Sequence, residues 1–143
     1  MFRSILIPID VAHESSWKFA IPEALELARA SGGSLTLMTV VRELAAMFEG
    51  VHLPLQLERI MNDARNQLAG IASDHDFGDV PVAQEVRYGS IGREVLAAAR
   101  ERNADLIVMA SHRPEMIDYV IGPNAAHVAL HAPCSVMVLR KFS

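Results

Sequence analysis

The residues best placed to do chemistry lie in the last third of the chain, after an apolar run that ends in Met109 and Ala110. His112 and Arg113 follow this run, and Gly122-Pro123-Asn124-Ala125 stands at the start of a helical pattern. A helix that starts after a glycine presents free backbone N–H groups and a positive dipole end, which together attract anions such as phosphate. Pro123 suits the first helical position, where its missing N–H is harmless. The segment predicts an anion site.

A carboxylate stands at the end of the first apolar run, where Pro8 and Asp10 follow Ile7. The carboxyl ends of parallel strands meet at one edge of a sheet, and α/β proteins bind their ligands there. Asp10 at this edge could accept hydrogen bonds from the two hydroxyls of a ribose. Alternatively, it is a turn residue whose carboxylate binds the nearby backbone. The sequence leaves both interpretations open.

Three polar clusters have residue types that bind metal ions. Asp10, His13 and Glu14 form one and 74–76 (Asp-His-Asp) another, but neither has a recognisable ligand spacing, and solvated polar turns are the favoured interpretation. His127 and His131 are four residues apart on the last helical pattern, where they could bind a metal or form a solvated face that suits the helix dipole. We assign no metal ligand on this basis.

Nucleophilic catalysis has little support in the sequence. No serine has the flanking residues of a nucleophile elbow, and Cys134 sits in an apolar run typical of a small buried hydrophobe. Ser31-Gly-Gly-Ser34 resembles a phosphate loop, but it follows a helical pattern and precedes a strand pattern. That position predicts a left-handed helix stop instead. No catalytic residue is assigned.

Strands and helices alternate along the whole chain. Short apolar runs predict five strands, at Ser4–Ile9, Ser34–Val41, Val80–Val86, Asp105–Met109 and Ser135–Leu139. Apolar residues at helical spacing predict four helices between them, with faces over 17–28, 57–71, 91–99 and 124–131. This order is typical of an α/β protein whose open parallel sheet carries helices on both faces, joined by right-handed crossovers.

Two places depart from that pattern. Pro22 falls inside the first helical pattern, so the helix is either kinked there or begins near Ile21 after a turn at Ser15-Ser16. The segment Arg42–Pro54 is long for a connection in such a unit, and we interpret it as a flap over the sheet edge or a partner surface.

Composition limits the class of protein. The chain has 143 residues, which suits a single domain over 1–143, and 13 basic against 17 acidic residues give a net charge of −4. No basic block with interleaved aromatics is present, so a general nucleic-acid binder is not expected. No apolar run approaches the roughly 20 residues that a membrane-spanning helix needs, and no signal peptide is recognised. We expect a soluble, cytoplasmic protein.

Taken together, these motifs resemble the universal stress protein family. The resemblance runs from Ile5 to Arg140 and is carried by Pro8 and Asp10, by 109–113 (Met-Ala-Ser-His-Arg), by 122–126 (Gly-Pro-Asn-Ala-Ala) and by the closing 133–139. The small single-domain bacterial members are the most similar branch. The resemblance implies a five-stranded sheet in the order 3-2-1-4-5, similar to the adenine nucleotide alpha hydrolase-like fold. It also implies a homodimer that pairs through the last strand.

The resemblance further implies that the ligand is an adenine nucleotide, ATP or ADP. Whether Mg²⁺ binds together with the nucleotide is left open. Asp10 would then hold the ribose beside Pro8, and Val40 or Val41 would flank adenine. The phosphate path would be lined by Met109, Ala110, His112 and Arg113. Gly122, Asn124 and Ala125 would supply backbone N–H groups to it, whereas Pro123, between Gly122 and Asn124, has none.

The phosphate motif differs from that of nucleotide-binding members, which carry Gly, two residues, Gly, nine residues, Gly, then Ser or Thr. Here Ala110 and Arg113 replace the first two glycines, the loop is one residue shorter, and Pro123 follows Gly122. Losing one hydrogen bond to a charged group costs about 1.5–3 kcal/mol, roughly one to two decades in affinity. Arg113 could return part of this by pairing with phosphate. We expect weakened binding.

Two other functions remain open. One is a dimeric interaction module that binds no nucleotide and contacts an unknown protein partner through Arg42–Pro54. The other is slow ATP hydrolysis or autophosphorylation, for which the sequence offers no general base.

Overall fold

The structure is a computed structural model, and it describes residues 1–42, 53–111 and 123–140. Five strands form one parallel sheet in the order β3-β2-β1-β4-β5. They are β1 (Ser4–Pro8), β2 (Ser34–Arg42), β3 (Val82–Gly89), β4 (Leu106–Ala110) and β5 (Ser135–Leu139). Four α-helices connect or follow the strands: α1 (Ala20–Ser31), α2 (Leu53–Ser73), α3 (Ile91–Glu101) and α4 (Pro123–His131). The expected strand order and the alternation of elements are confirmed.

The sheet has a hydrophobic core on each face because its central strands are apolar on both sides. Ile5 and Ile7 of β1 point into the cluster that α1 and α2 cover. Leu6, between them, points into the second cluster, which α3 and α4 cover. Cys134 packs against this second cluster and is half-buried, and burial raises the pKa of its thiol. Its prediction as a small hydrophobe agrees with this position.

The first helix resolves the two alternatives raised by Pro22. A short 3-10 turn covers Glu14–Ser16, and α1 then begins at Ala20 with no kink at the proline. Pro22 thus lies in the first turn, where backbone N–H groups have no partner within the helix and a missing one costs little.

The end of α1 confirms the predicted left-handed stop. Gly32 has φ +66°, and the N–H groups of Gly32 and Gly33 both donate to the carbonyl of Ala28. The chain then enters β2, where the Ser34 N–H donates to the carbonyl of Arg3 at 2.9 Å.

Among the strands, the largest error in the predicted boundaries concerns β3, which runs from Val82 to Gly89 and not from Val80 to Val86; among the helices, α2 begins at Leu53, within the predicted connection Arg42–Pro54. Val80 belongs to the preceding turn, because its N–H donates to the carbonyl of Phe77. The strand continues through Arg87 and Tyr88, which pair with Val40 and Val41 of β2. Because β3 is an edge strand, it tolerates polar residues that the apolar pattern did not include.

The amino edge of the sheet is held by a half-buried carboxylate. Asp105, just before β4, accepts hydrogen bonds from the backbone N–H groups of Arg3 and Ser4 at 2.8 and 3.0 Å. Burial alone would raise the pKa of Asp105, but these N–H groups outweigh it and hold the pKa below its ordinary value. The interaction connects the start of β4 to the start of β1. The other ends of these two strands lie at the centre of the opposite edge of the sheet.

Among the described helices, none is long and apolar enough to cross a membrane.

Candidate functional site

The candidate site lies at the carboxyl edge of the sheet. β1 ends there at Pro8 and its neighbour β4 ends at Ala110. From β1 the chain moves outward to β2 and β3, whereas β4 and β5 lie on the other side. Strand order therefore reverses between β1 and β4, and ligands of open α/β sheets bind outside the strands at such a switch point.

Most of the predicted site residues within the described ranges lie along this edge. Val40 and Val41 are half-buried near the end of β2. At the end of β4, Met109 is 7% exposed and Ala110 is half-buried. Asn124 is half-buried in the first turn of α4. Pro123 is the first helical residue, as expected, and Ala125 packs into the second core cluster. His112, Arg113 and Gly122 lie outside the described residues, as do 43–52 of the predicted flap.

Asp10 has the geometry of a turn residue with spare acceptor capacity. Its Oδ1 accepts a hydrogen bond from the Ala12 N–H at 2.9 Å, and its Oδ2 lies 2.8 Å from Nδ1 of His13. The side chains of Asp10 and His13 are 53% and 54% exposed. Each carboxylate oxygen has about two lone-pair sites, so each can still accept a second hydrogen bond from solvent or a ligand. The turn interpretation is supported, and the local bonds also restrict the carboxylate's orientation.

A pocket of about 430 Å³ opens at the same edge, between the ends of β2 and β3 and the starts of α3 and α4. Its lining consists of Arg42, Gly89, Ser90, Ile91 and Asn124. Ligand pockets have volumes of about 300–1,000 Å³, so the volume of this pocket suits a molecule of the size of a nucleotide. Of the predicted site residues that the structure describes, Asn124 alone is in this lining. Asp10 and Pro8 lie on the β1 side of the edge, outside it.

The other four lining residues were not predicted, although β3 carried a signal. Gly89 ends β3, and Ser90 then leads directly into α3. This is the same strand, glycine and helix order that drew attention to Gly122. Gly89 has φ +142°, a conformation that other residues rarely adopt. Ser90 has an extended backbone, and its hydroxyl makes no capping bond to α3.

An ion-pair cluster fixes α3, and with it one wall of the pocket, against β3. The Arg87 guanidinium donates to Glu85 at 2.7 Å, to Glu94 at 2.8 Å and to Glu101 at 2.8 Å. Arg102 donates to the other oxygen of Glu85. We call these five residues the Arg87 cluster. Arg87 is only 17% exposed, so water screens these interactions less than those of surface pairs.

The charges of the Arg87 cluster are stabilised by one another. Burial alone would raise the pKa of Glu85, but hydrogen bonds from Arg102 and Arg87 hold it below its usual 4.5. The Arg87 hydrogen bond also lowers the pKa of Glu101, and Glu101 and Glu94 together raise that of Arg87. These shifts keep Glu85, Glu101 and Arg87 in their charged forms at neutral pH.

Two of the three polar clusters considered as metal sites, the one at Asp10 and the one at 74–76, are turns in the structure, whereas His127 and His131 lie on α4. In 74–76, the Asp76 carboxylate accepts the N–H of Gly78 at 2.9 Å, and Nδ1 of His75 lies 2.9 Å from the carbonyl of Ile71. Across the described ranges, no group of three or more His, Cys, Asp or Glu side chains could hold a metal ion.

Comparison with known proteins shows a consistent set of similarities. The model of the universal stress protein family matches residues 1–140. Universal stress protein G of Shigella flexneri is 28% identical over 149 residues, which cover 98% of this chain and 100% of that protein.

Solved structures with the same fold include two that hold a nucleotide. A universal stress protein family protein from Arabidopsis thaliana, solved with AMP bound, has a TM-score of 0.69 and 17% identity over 99% of this chain and 93% of its own. A universal stress protein in complex with cAMP has a TM-score of 0.65 and 19% identity over 99% and 98%. At these identities the likeness shows the fold.

Proposed function

Because the chain belongs to the universal stress protein family, we propose that it binds an adenine nucleotide at the carboxyl edge of its sheet. The observation that carries the proposal is the pocket of about 430 Å³ at that edge, beside the first turn of α4. Similarly folded family members hold AMP or cAMP, which supports an adenine nucleotide as the class of ligand. We further propose that ATP or ADP is the preferred form and that the bound protein acts in a stress response or in signalling.

The proposed pose follows the chemistry of the edge. Adenine lies against Val40, which is half-buried and packs against the core cluster that α3 and α4 cover, on the same face of the sheet as the pocket. Val41, the next residue of β2, points to the opposite face. The ribose extends from the pocket along the edge toward β1, where its hydroxyls donate to the remaining acceptor sites of Asp10. The phosphates point toward the N-terminal end of α4, where backbone N–H groups and the helix dipole favour negative charge.

Arg42 adds a positive charge to this proposal. It lines the pocket with Asn124 and follows Val41 directly, at the end of β2. A guanidinium pairs well with phosphate oxygens, so Arg42 supplies a cation at the wall of the pocket that the end of β2 forms. We propose that it offsets part of the binding lost through the altered glycine motif, and that Mg²⁺ accompanies ATP.

The direct test is a search for nucleotide in the purified protein. The protein is denatured, the released material is separated by chromatography, and ATP is titrated into the emptied protein by calorimetry with and without Mg²⁺. Binding of one equivalent per chain supports the proposal. No released nucleotide together with no heat at millimolar ATP would refute it.

Replacing Asp10 by asparagine is expected to weaken ATP binding by roughly one to two decades, because each hydrogen bond to a charged group is worth about 1.5–3 kcal/mol. Asparagine keeps the side-chain size and one acceptor oxygen for the Ala12 N–H, so the turn should persist. Calorimetric titration of both proteins measures the difference.

Asp76→Asn is the matched control for this change. Asp76 also accepts a backbone N–H two residues ahead, at 2.9 Å, but it lies in the turn that precedes β3, at the other edge of the sheet. Its replacement should leave the ATP affinity unchanged. Equal affinities of wild type and Asp10→Asn would remove Asp10 from the site.

We also propose that the protein forms a homodimer through β5. β5 ends the strand order and pairs with β4 alone, so one row of its backbone groups faces outward. Its residues from Val136 to Leu139 are half-buried, and Leu130 on α4 is 80% exposed. An open apolar edge strand is a template for pairing with another chain.

Val138→Lys is expected to convert the dimer into a monomer, because it places a charge on the apolar edge strand. Val138 is a suitable position since it packs against neither core cluster, unlike Val136 and Met137. Light scattering after size-exclusion chromatography gives the mass of each variant. Gln84→Lys, at an exposed position on the opposite edge strand β3, is the control and should leave the mass unchanged. A monomeric wild type would contradict the proposal.

A further inference from the structure

The side of α4 next to the start of α3 carries two histidines one helical turn apart. His127 and His131 are both exposed, and their ring centroids are 4.7 Å apart with an interplanar angle of 50°. Residues four apart on an α-helix lie above one another on the same face. The two imidazoles therefore face the same small volume of solvent beside the helix.

We propose that His127 and His131 form a bidentate site for a divalent transition-metal ion of the Ni²⁺, Cu²⁺ or Zn²⁺ type. Imidazole nitrogen suits these ions, with metal–nitrogen distances of about 2.0–2.1 Å. Small rotations of two rings whose centroids are 4.7 Å apart bring one nitrogen of each to a common ion. Water occupies the remaining positions, since no third His, Cys, Asp or Glu joins the pair in the described part of the chain.

The ligand nitrogens are available for this role. Among the described residues, no hydrogen bond or ion pair engages either imidazole; each ring contacts the other. The ion would also sit beside the last turn of α4, because His131 is the final helical residue. Backbone carbonyls give this end of a helix a partial negative charge, which favours a cation.

Gly92 of α3 positions the first of the two rings. A Cβ built on Gly92 would lie 2.6 Å from Cδ2 of His127, so the ring rests directly over the glycine backbone. This contact restricts the His127 side chain before any ion binds. A ligand that is already restricted loses less conformational entropy on binding, which favours affinity. The contact also couples the proposed site to the start of α3.

Protein without a histidine tag tests the proposal by calorimetric titration with NiCl₂. We expect one ion per chain, and His127→Ala and His131→Ala should each weaken the affinity by about tenfold or more, since either change leaves a single ligand. His75→Ala is the matched control: His75 is also a histidine at the end of a helix, and its replacement should leave the affinity unchanged. Circular dichroism establishes that the variants are folded.

Gly92→Ala separates a built site from two surface histidines. The added methyl group would displace the His127 ring while both imidazoles remain, so Ni²⁺ binding should weaken although no ligand is removed. Substoichiometric Cu²⁺ should broaden the amide NMR signals of α4 first. Ni²⁺ binding that is absent at millimolar concentration, or that survives both single histidine replacements, overturns the proposal.

Discussion

Replacing Gly33 by alanine is expected to lower the free energy of unfolding by about 3 kcal/mol or more, because a close backbone contact leaves no room for a side chain. A Cβ at this position would lie 2.5 Å from the carbonyl oxygen of Phe2 and 2.9 Å from Cα of Arg3. Both are backbone atoms, so neither can rotate away. Relief requires the chain before β1 to separate from the start of β2, where Ser34 binds the Arg3 carbonyl.

Two other glycines provide controls with different physical causes. Gly32 has nothing within 4 Å of a built Cβ but has φ +66°, so Gly32→Ala should cost only about 1 kcal/mol of backbone strain. Gly70 lies inside α2 with open space around it, so Gly70→Ala should stabilise the fold by roughly 0.5–1 kcal/mol. Urea denaturation of the three variants measures the series. A cost for Gly33→Ala no larger than that for Gly32→Ala would contradict the packing argument.

The sequence was sufficient for the fold because the strands are nearly continuous apolar runs separated by helical patterns. β1 and β4 are buried on both faces, so each is a continuous apolar run in the sequence, which differs from the pattern of an exposed element. β3 was less well predicted, since Gln84, Glu85 and Arg87 interrupt its apolar pattern. Those charges are accommodated because Arg87 pairs with Glu94 and Glu101 of α3, and Glu85 pairs with Arg102 just after that helix. Such pairing depends on distant residues and gives no local signal.

The candidate site was partly predictable for a related reason. Residues at strand ends, such as Asp10 and Ala110, could be placed at one edge from topology alone. The pocket itself could not be predicted in this way, because it forms only where α3 and α4 begin beside the end of β2. That arrangement brings together Arg42, Ser90 and Asn124. These residues are far apart in the sequence. Only the strand, glycine and helix order at Gly89 offered a local signal.

The Arg87 cluster gives the second large expected effect. Arg87→Met should lower the free energy of unfolding at neutral pH by about 2–3 kcal/mol, because it leaves partly buried carboxylates without their shared cation. Glu94 is 21% exposed and loses its guanidinium partner altogether, whereas Glu85 keeps Arg102. The same change removes the ion pairs that join β3 to Glu94 and Glu101 of α3 and leaves the Glu85–Arg102 pair, so α3 is less firmly held and we also expect weaker ATP binding in the pocket that it lines. Urea denaturation and calorimetry measure the two effects.

The pH dependence distinguishes this electrostatic cause from a simple loss of packing. Arg102 and Arg87 together hold the pKa of Glu85 below 4.5, its ordinary value, in the folded protein, and Arg87 is the main cause of the lowered pKa of Glu101. A carboxyl with a lowered folded-state pKa stabilises the protein above its unfolded-state value, and this stabilisation is lost as the pH falls through the folded-state value. The difference between wild type and Arg87→Met should therefore be constant near neutral pH and shrink below about pH 4.5. Arg100→Met, at an exposed position on α3, is the control and should change stability by less than about 0.5 kcal/mol. A difference that persists unchanged in acid would assign the role of Arg87 to the packing of its aliphatic stem.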